Sequence, residues 1–337
     1  MNNICIFGAG SVGCYLGGLL LNTGQDVTFV GRSKFKSELL ENGLSLSHFK
    51  NPKIDLAPKD IQFYIEPNVL ARANIILITV KSQDTEQAAK TIAKIVAPNT
   101  LIMSFQNGIS NVDVLNTYLP NFKILRAVVP FNITGISPGH FHCGTDGNLS
   151  IENSSDERLH YLKEAFAKSN QQIDLFDDIL AVQWGKLLVN LNNGLNALTG
   201  GALRDGLYQS DYRRALAAVI SEALEILRNT GIEPAKFGNA SVDKMIKILG
   251  LPNFIYKIIM NRIVKIDSTA RSSMLDDLEI GRVSEIKFLQ GEIVNLADKT
   301  AQEAPYNTII LNLVEEAFRN KKSPKLSGQD ICIKLGL

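Results

Sequence analysis

The chain has 337 residues, 45% of them hydrophobic and 20% charged, and its formal net charge is +1. This length allows two domains. The near balance of 35 basic and 34 acidic residues argues against a dedicated nucleic-acid-binding protein or a basic membrane-surface protein. The four cysteines are scattered without C-x-x-C spacing, so we expect neither a disulfide framework nor a metal site, and a reducing compartment is favoured.

Neither a secretory signal nor a membrane span is expected. The first three residues lack the basic region of a signal peptide. The nearest candidate for a span, residues 254–266, is interrupted by Lys257, Arg262 and Lys265 and falls short of the roughly 18 residues that a membrane helix needs. The sequence therefore predicts a cytoplasmic protein.

The first half of the chain alternates short apolar runs with helical patterns. Runs that are apolar at nearly every position are typical of parallel strands buried on both faces, and this alternation predicts a doubly wound α/β sheet. The predicted strands cover residues 4–7, 26–30, 74–80 and 100–105, with a helix over residues 84–96. Residues 123–152 contain turn signals and are expected to add antiparallel strands at the sheet edge, before a helix over residues 155–169.

Long helical patterns replace the strand signal after about residue 178. They cover residues 179–198, 212–230, 282–303 and 308–320, and the tail, residues 323–337, stays unassigned. We therefore predict a first domain over residues 1–178 and an all-helical C-terminal domain over residues 179–337, packed with a cleft between them.

A glycine-rich turn follows the first predicted strand and opens a helical pattern. Its sequence, Gly8-Ala9-Gly10-Ser11-Val12-Gly13, is the fingerprint of a Rossmann-type dinucleotide site when it lies in such a strand–turn–helix unit. Gly8 allows the tight turn, Gly10 lets the backbone approach a pyrophosphate, and Gly13 allows close packing of helix on strand. The alternative is a turn that needs glycines for its shape alone.

The residue after the second predicted strand selects between the two nicotinamide cofactors. NAD sites usually place an acidic residue there, roughly 20 residues after the fingerprint. This chain has Arg32 at about that position. A guanidinium can pair bidentately with a 2′-phosphate, so Arg32 favours NADP(H), unless it is an ordinary solvated arginine.

Two polar clusters follow the third and fourth predicted strands, where ligands of open α/β sheets bind. They are Lys81-Ser82-Gln83 and Gln106-Asn107-Gly108. Lys81 could contact the cofactor ribose or the substrate, and Asn107 could hold the nicotinamide ribose or a substrate oxygen. Alternatively, both are solvated turn residues.

The helix predicted at the start of the second half carries polar residues in an apolar pattern. Lys186, Asn190 and Asn193 lie at positions i, i+4 and i+7 and share one face. Burying a lysine is costly without a partner or a function, and desolvation lowers its pKa, which makes Lys186 a usable general acid. Alternatively, Lys186 extends to the surface and the asparagines cap nearby backbone groups.

A last cluster lies in residues 271–277 and 284–286. Ser272 or Ser273 could donate a hydrogen bond to a substrate carboxylate, and Glu285 could pair with Lys186. Helix capping by serine and a solvated glutamate would explain the same residues.

Together these motifs resemble those of the ketopantoate reductases (2-dehydropantoate 2-reductases), in order and spacing and over nearly the whole chain. The resemblance implies a Rossmann domain, an all-helical domain and an active site in the cleft. It also implies NADPH-dependent reduction of 2-dehydropantoate to pantoate, a step towards pantothenate and coenzyme A. The motifs are the glycine-rich turn, Thr79-Val80-Lys81, Gln106-Asn107-Gly108, Lys186-Leu187-Leu188-Val189-Asn190, Ser272-Ser273-Met274 and Glu285.

The resemblance implies a role for each matching residue. Lys186 would be the general acid and Glu285 the active-site glutamate, while Asn190 and Ser273 would bind substrate oxygens. Residues 1–178 would bind NADP, and residues 179–337 would bind the substrate and catalyse the reaction. The implied cofactor residues are Gly8, Ala9, Gly10, Ser11, Val12, Gly13, Arg32, Lys81 and Asn107.

The departures from the family pattern lie on the substrate side. Family members commonly have a second asparagine four residues after the one matched by Asn190, and this chain has Gly194 there. In the family pattern, Ile-Asp-x-x-Asn-Gly follows the glutamate. In this chain Lys287 stands in place of the aspartate and Gln290 in place of the asparagine. Extra helical sequence covers residues 244–266.

These departures leave the identity of the 2-keto acid open. The alternatives are a reductase of another branched 2-keto acid, an opine-type dehydrogenase and a non-catalytic NADPH-binding sensor. The presence of both Lys186 and Glu285 argues against the sensor. As partners we expect the small keto acid and a second copy of the chain, but neither nucleic acid nor a membrane.

Overall fold

The computed structural model describes residues 2–236, 241–263 and 270–337. The chain divides into two compact units, Met1–Ile179 and Leu180–Leu337. The strands of the first unit are β1 (Asn3–Phe7), β2 (Asp26–Val30), β3 (Leu44–His48), β4 (Ile54–Leu56), β5 (Gln62–Tyr64), β6 (Ile75–Ile78), β7 (Leu101–Ser104), β8 (Lys123–Val128), β9 (Ile133–Ser137), β10 (His140–Cys143), β11 (Leu149–Glu152) and β12 (Ile173–Phe176). Its helices are α1 (Ser11–Asn22), α2 (Ser33–Asn42), α3 (Thr85–Ile95), α4 (Asn111–Tyr118) and α5 (Glu157–Lys168).

The first unit is built on an eight-stranded sheet with the order β12-β11-β8-β7-β6-β1-β2-β5. The six strands from β8 to β5 are parallel to one another, which confirms the predicted doubly wound fold. Successive residues of a strand point to opposite faces. Ile4 and Ile6 accordingly pack in one buried cluster with Leu16 of α1, whereas Cys5 packs in a second cluster with Ile76.

The expectation that residues 123–152 add antiparallel strands to the edge of this sheet is wrong for most of the stretch. β8 joins the sheet in parallel, and only β11 pairs antiparallel with it. β9 and β10 instead enter a second sheet with the order β4-β3-β10-β9. The reason is that β3, which like β4 was not predicted, offers a pairing edge to β10, and Phe141 and Cys143 of β10 are buried in the core.

The described part of the second unit is helical, as predicted, and contains no strand. Its helices are α6 (Ile179–Asn190), α7 (Asn192–Thr199), α8 (Leu203–Leu207), α9 (Ser210–Asn229), α10 (Val242–Leu249), α11 (Asn253–Ile263), α12 (Ser273–Glu279), α13 (Gln290–Lys299), α14 (Pro305–Arg319) and α15 (Gly328–Leu335). Of the extra sequence noted at residues 244–266, residues 264–266 lie outside the described residues. No helix in the described ranges is long and apolar enough to cross a membrane.

Two helix predictions in this unit need correction, and the segment left unassigned contains a helix. The helix predicted over residues 179–198 is interrupted at Leu191, between α6 and α7. Residues 282–303 are not one helix, because a loop carries Glu285 and a short 3-10 turn (Ile286–Phe288) precedes α13. The unassigned tail forms α15, whose N-terminus is fixed by a capping box between Ser327 and Asp330.

Candidate active site

The predicted cofactor residues lie at one edge of the main sheet. β7, β6, β1 and β2 are adjacent and parallel, so their carboxyl ends share that edge. Gly8, Arg32, Lys81 and Asn107 each follow one of these strands within three residues. The chain leaves β1 towards β2 on one side, whereas β6 lies on the other, and such a switch point is where open α/β sheets bind ligands.

Two glycines of the glycine-rich turn are required by the packing of the protein itself. Gly8 has a φ of +109°, and a Cβ there would lie 2.6 Å from the carbonyl carbon of Thr79. A Cβ at Gly13 would lie 2.6 Å from both the carbonyl oxygen of Gly8 and Oγ1 of Thr79. Side chains cannot be accommodated at such distances, so the loop after β6 packs directly on this turn. Thr79 Oγ1 also donates a hydrogen bond to the Gly8 carbonyl at 2.9 Å.

Gly10 differs from these two glycines because the protein does not crowd it. The nearest atom to a Cβ placed there would be the Gly8 carbonyl oxygen, at 3.9 Å. Gly10 is the N-cap of α1 but provides no capping side chain, and the first turn of α1 has no acidic residue. The backbone N–H groups of the first turn of α1 therefore suit an anion, and the space beside Gly10 fits the close approach of a dinucleotide pyrophosphate.

Arg32 is the N-cap residue of α2 and has a largely exposed side chain. Its Nη2 lies 3.6 Å from Oδ2 of Asp84, a residue that ends the short 3-10 turn after Lys81. Both side chains are substantially exposed, so this ion pair is weak and can be exchanged for a stronger ligand. Arg32 is thus accessible to a phosphate group, with one carboxylate competing for it.

A buried polar network holds the two loops after β6 and β7, and sequence reasoning missed most of it. The carbonyl oxygen of Asn107 accepts hydrogen bonds from Ser82 Oγ at 2.9 Å and from Asn111 Nδ2 at 2.6 Å. Gln106 Nε2 donates to Thr85 Oγ1 at 2.7 Å, and Thr85 Oγ1 donates to Asn111 Oδ1 at 2.8 Å. Satisfied buried networks of this kind fix local geometry. Here the network fixes the backbone next to Lys81 and Asn107.

The helix that carries Lys186 is closely packed on both sides of this residue. Trp184, Leu187 and Leu188 are buried. A Cβ at Gly185 would lie 3.2 Å from the carbonyl carbon of Ala235, so the absence of a side chain lets that segment pack against α6. Lys186 is itself only partly exposed.

The charge of Lys186 is disfavoured by burial and partly restored by Glu285. Burial lowers the pKa of the Lys186 ammonium to about 8, and the negative charge of Glu285 acts in the opposite direction. Glu285 is 8% exposed, so it is not the solvated glutamate of the alternative interpretation. The structure therefore places a readily deprotonated lysine close to a buried carboxylate in the second unit.

The two candidate serines have different environments. Ser272 is buried and is the N-cap of α12, where its Oγ accepts a hydrogen bond from the N–H of Leu275 at 3.2 Å. Its own N–H donates to Oδ1 of the buried Asn196 at 3.0 Å. Ser273, the first residue of α12, is exposed. Capping thus accounts for Ser272, and Ser273 is the serine accessible to a ligand.

Comparison with known proteins gives concordant results for both units. Residues 4–156 match the family model described as "Ketopantoate reductase PanE/ApbA", and residues 178–317 match the model of the C-terminal part of that family. A 2-dehydropantoate 2-reductase of Pyrococcus horikoshii is 28% identical over 321 residues, which cover 93% of this chain and 96% of the relative.

Solved structures share the fold over almost the whole chain. The crystal structure of a PanE/ApbA family ketopantoate reductase from Ralstonia eutropha JMP134 has a TM-score of 0.79 and 26% identity, with coverage of 95% of this chain and 99% of that one. D-mandelate dehydrogenase in a ternary structure with NADH and anilino(oxo)acetate has a TM-score of 0.78, with the same coverage. At 18% identity, this second likeness concerns the fold alone.

A doubly wound sheet with a glycine-rich turn, followed by a helical unit with a lysine and a glutamate in proximity, defines a nicotinamide-dependent oxidoreductase. Both family models together span most of the sequence. The chain belongs to the ketopantoate reductase family.

Proposed function

We propose that the protein reduces 2-dehydropantoate to pantoate with NADPH. The observation that carries this proposal is Lys186, whose pKa is lowered to about 8 by burial while Glu285 opposes the shift. A lysine of this kind is mostly protonated at neutral pH, yet it releases its proton more readily than an ordinary lysine. Both properties are needed in a general acid that serves a keto group.

The proposed reaction assigns a task to each of these side chains. When bound, the nicotinamide supplies the hydride that adds to the keto carbon. Lys186 Nζ donates a hydrogen bond to the keto oxygen and then transfers a proton to it as the hydroxyl forms. The positive charge of Lys186 stabilises the negative charge that develops on this oxygen. Glu285 favours the protonated form of Lys186 and orients it.

The assignment of NADP(H) rests on the residues of the first unit. Gly10 leaves room for the pyrophosphate, and the N–H groups at the start of α1 face no acidic side chain of the first turn. Arg32 would bind the 2′-phosphate bidentately and would exchange its weak pairing with Asp84 for it. Lys81 and Asn107 would contact the cofactor from loops that the buried network holds in place.

On the substrate side, we assign Asn190 and Ser273 to the oxygen atoms of the keto acid. Asn190 is one helical turn after Lys186, so both side chains leave α6 on the same face. Ser273 has an exposed hydroxyl, whereas Ser272 is engaged as a helix cap. The product would feed pantothenate and coenzyme A synthesis in the cytoplasm, and the protein would act as a homodimer.

The proposal is tested by following NADPH oxidation with a panel of keto acids. The panel contains 2-dehydropantoate, 2-oxoisovalerate and 2-oxo-2-phenylacetate, and pyruvate with and without an added amino acid. We expect the highest kcat/KM with 2-dehydropantoate and no need for an amine. A higher kcat/KM with another keto acid would mean that this acid, and not 2-dehydropantoate, is the substrate. Turnover only in the presence of an amine would indicate an opine-type enzyme. Binding of NADPH without any turnover would indicate a sensor.

A further inference from the structure

Two positions at which the chain departs from the family pattern are in direct contact. Gly194 lies in α7, and Gln290 is the first residue of α13. A Cβ at Gly194 would lie 2.8 Å from Nε2 of Gln290, closer than real Cβ atoms approach a neighbour. Gly194 is helical rather than left-handed, so what it provides is space. The glycine therefore makes room for the glutamine.

Gln290 uses that space to reach the interruption between α6 and α7. Its side chain is fully buried, and its Nε2 donates a hydrogen bond to the carbonyl oxygen of Leu191 at 2.8 Å. Leu191 is the single residue between α6 and α7. Leu191 keeps right-handed helical dihedral angles (φ −56°, ψ −26°), and its own N–H donates to the carbonyl oxygen of Leu187 at 3.0 Å. Gln290 thus holds the C-terminal end of the helix that carries Lys186.

The same contact reaches the segment that carries Glu285. Ile286, next to Glu285, is buried, and its Cδ1 would lie 3.2 Å from a Cβ at Gly194. Only the 3-10 turn Ile286–Phe288 and Leu289 separate Glu285 from Gln290. Among the residues that the structure describes, Oε1 of Gln290 has no hydrogen-bond partner, which costs stability and is unusual for a buried amide.

We propose that Gln290 is a positioning residue that, together with Gly194, sets the placement of Glu285 relative to Lys186. The inference rests on the proposed function, because it assigns a purpose to the spacing of the proposed acid and its carboxylate. It predicts that the two positions are energetically coupled and that enlarging Gly194 displaces the segment of Glu285 from α7.

The test compares Gly194→Ala with Gln290→Asn and with the double variant. Gly194→Ala should lower kcat about tenfold, a typical coupling for residues in contact, with the affinity for NADPH unchanged. Gln290→Asn withdraws the amide and loses the bond to Leu191, so the double variant should be no worse than Gln290→Asn alone. Gly291→Ala is the matched control, because a Cβ there meets only ordinary contacts at 3.5 Å or more.

A second measurement separates this inference from the proposed reaction. The pH dependence of acylation of Lys186, followed by mass spectrometry of its peptide, reports the pKa of the amine without any substrate. Displacing Glu285 should move this pKa below the wild-type value of about 8 in Gly194→Ala but not in Gly291→Ala. If Gly194→Ala does not fold, Gln290→Asn must show the same direction of shift.

The inference is overturned if the labelling pKa is the same in all variants, or if the defects of Gly194→Ala and Gln290→Asn multiply in the double variant. A wild-type protein that reduces no keto acid, yet shows the expected pattern of labelling, would refute the proposed function and leave the coupling intact.

Discussion

The lowered pKa of Lys186 leads to a specific pH dependence of turnover. Burial brings this pKa to about 8, and the proposed reaction uses the protonated amine as its general acid. At pH 9, only about one tenth of an amine with a pKa of 8 is protonated, whereas an ordinary lysine with a pKa of about 10.4 remains almost fully protonated. We therefore expect kcat to fall about tenfold between pH 7 and pH 9.

The assay is kcat at saturating NADPH and 2-dehydropantoate, measured from pH 6 to pH 10. Lys186→Met should lower kcat by about 10²–10⁴-fold and remove the alkaline limb. Glu285→Gln should move the limb to lower pH, because the carboxylate raises the pKa of Lys186. Lys299→Met, at an exposed lysine of α13, is the control and should change neither.

The reasoning would be refuted by a wild-type limb near the pKa of an ordinary lysine. It would also fail if Lys186→Met kept substantial turnover with the same limb. The proton would then come from another group, and Lys81 would be the next candidate.

Three further predictions concern binding and stability. Arg32→Ala should weaken NADPH binding by about 1.5–3 kcal/mol and should change NADH binding little. Asp84→Asn should strengthen NADPH binding, because it removes the carboxylate that competes for Arg32. If titrations show that the affinities for both cofactors change equally, Arg32 does not bind the 2′-phosphate. Ser273→Ala should raise the KM for the keto acid without changing NADPH affinity, and unaltered kinetics would remove Ser273 from the site. Gly13→Val should lower the free energy of unfolding in urea by about 1–3 kcal/mol, because the added side chain overpacks the turn. Gly135→Ala is the control, since a Cβ there meets nothing nearer than 3.9 Å. Equal urea midpoints of unfolding for the two variants would contradict the packing argument.

Features encoded by local pattern could be predicted from the sequence. The buried strands β1, β2, β6 and β7 are apolar on both faces, and the glycine spacing after β1 is tied to a fixed backbone geometry. The desolvation of Lys186 also followed from its apolar neighbours, although its balance against Glu285 required the structure.

Features that depend on distant residues could not be predicted in this way. β10 pairs with β3, which lies roughly 95 residues earlier in the chain, and no local pattern encodes that partner. The carbonyl oxygen of Leu191, between α6 and α7, accepts its side-chain hydrogen bond from Gln290, 99 residues away. α15 is different, since Ser327 and Asp330 form a capping box that the sequence displays.

The site shows the same division. Arg32, Lys81 and Asn107 could be proposed because each follows a predicted strand. Asn111 and Thr85, which hold the backbone of these loops, gave no signal, because ordinary polar residues near a helix start are read as caps or as surface.

The central claim, hydride transfer from NADPH to 2-dehydropantoate, is tested most directly by following the label from NADPH that carries deuterium at both C4 positions of the dihydronicotinamide. We predict that mass spectrometry of the pantoate formed by the wild-type protein shows one deuterium at C2, and that Lys186→Met forms this product more slowly by the same factor as its loss of kcat. Unlabelled pantoate would contradict the account, as would label that appears only with another keto acid or only in a secondary amine.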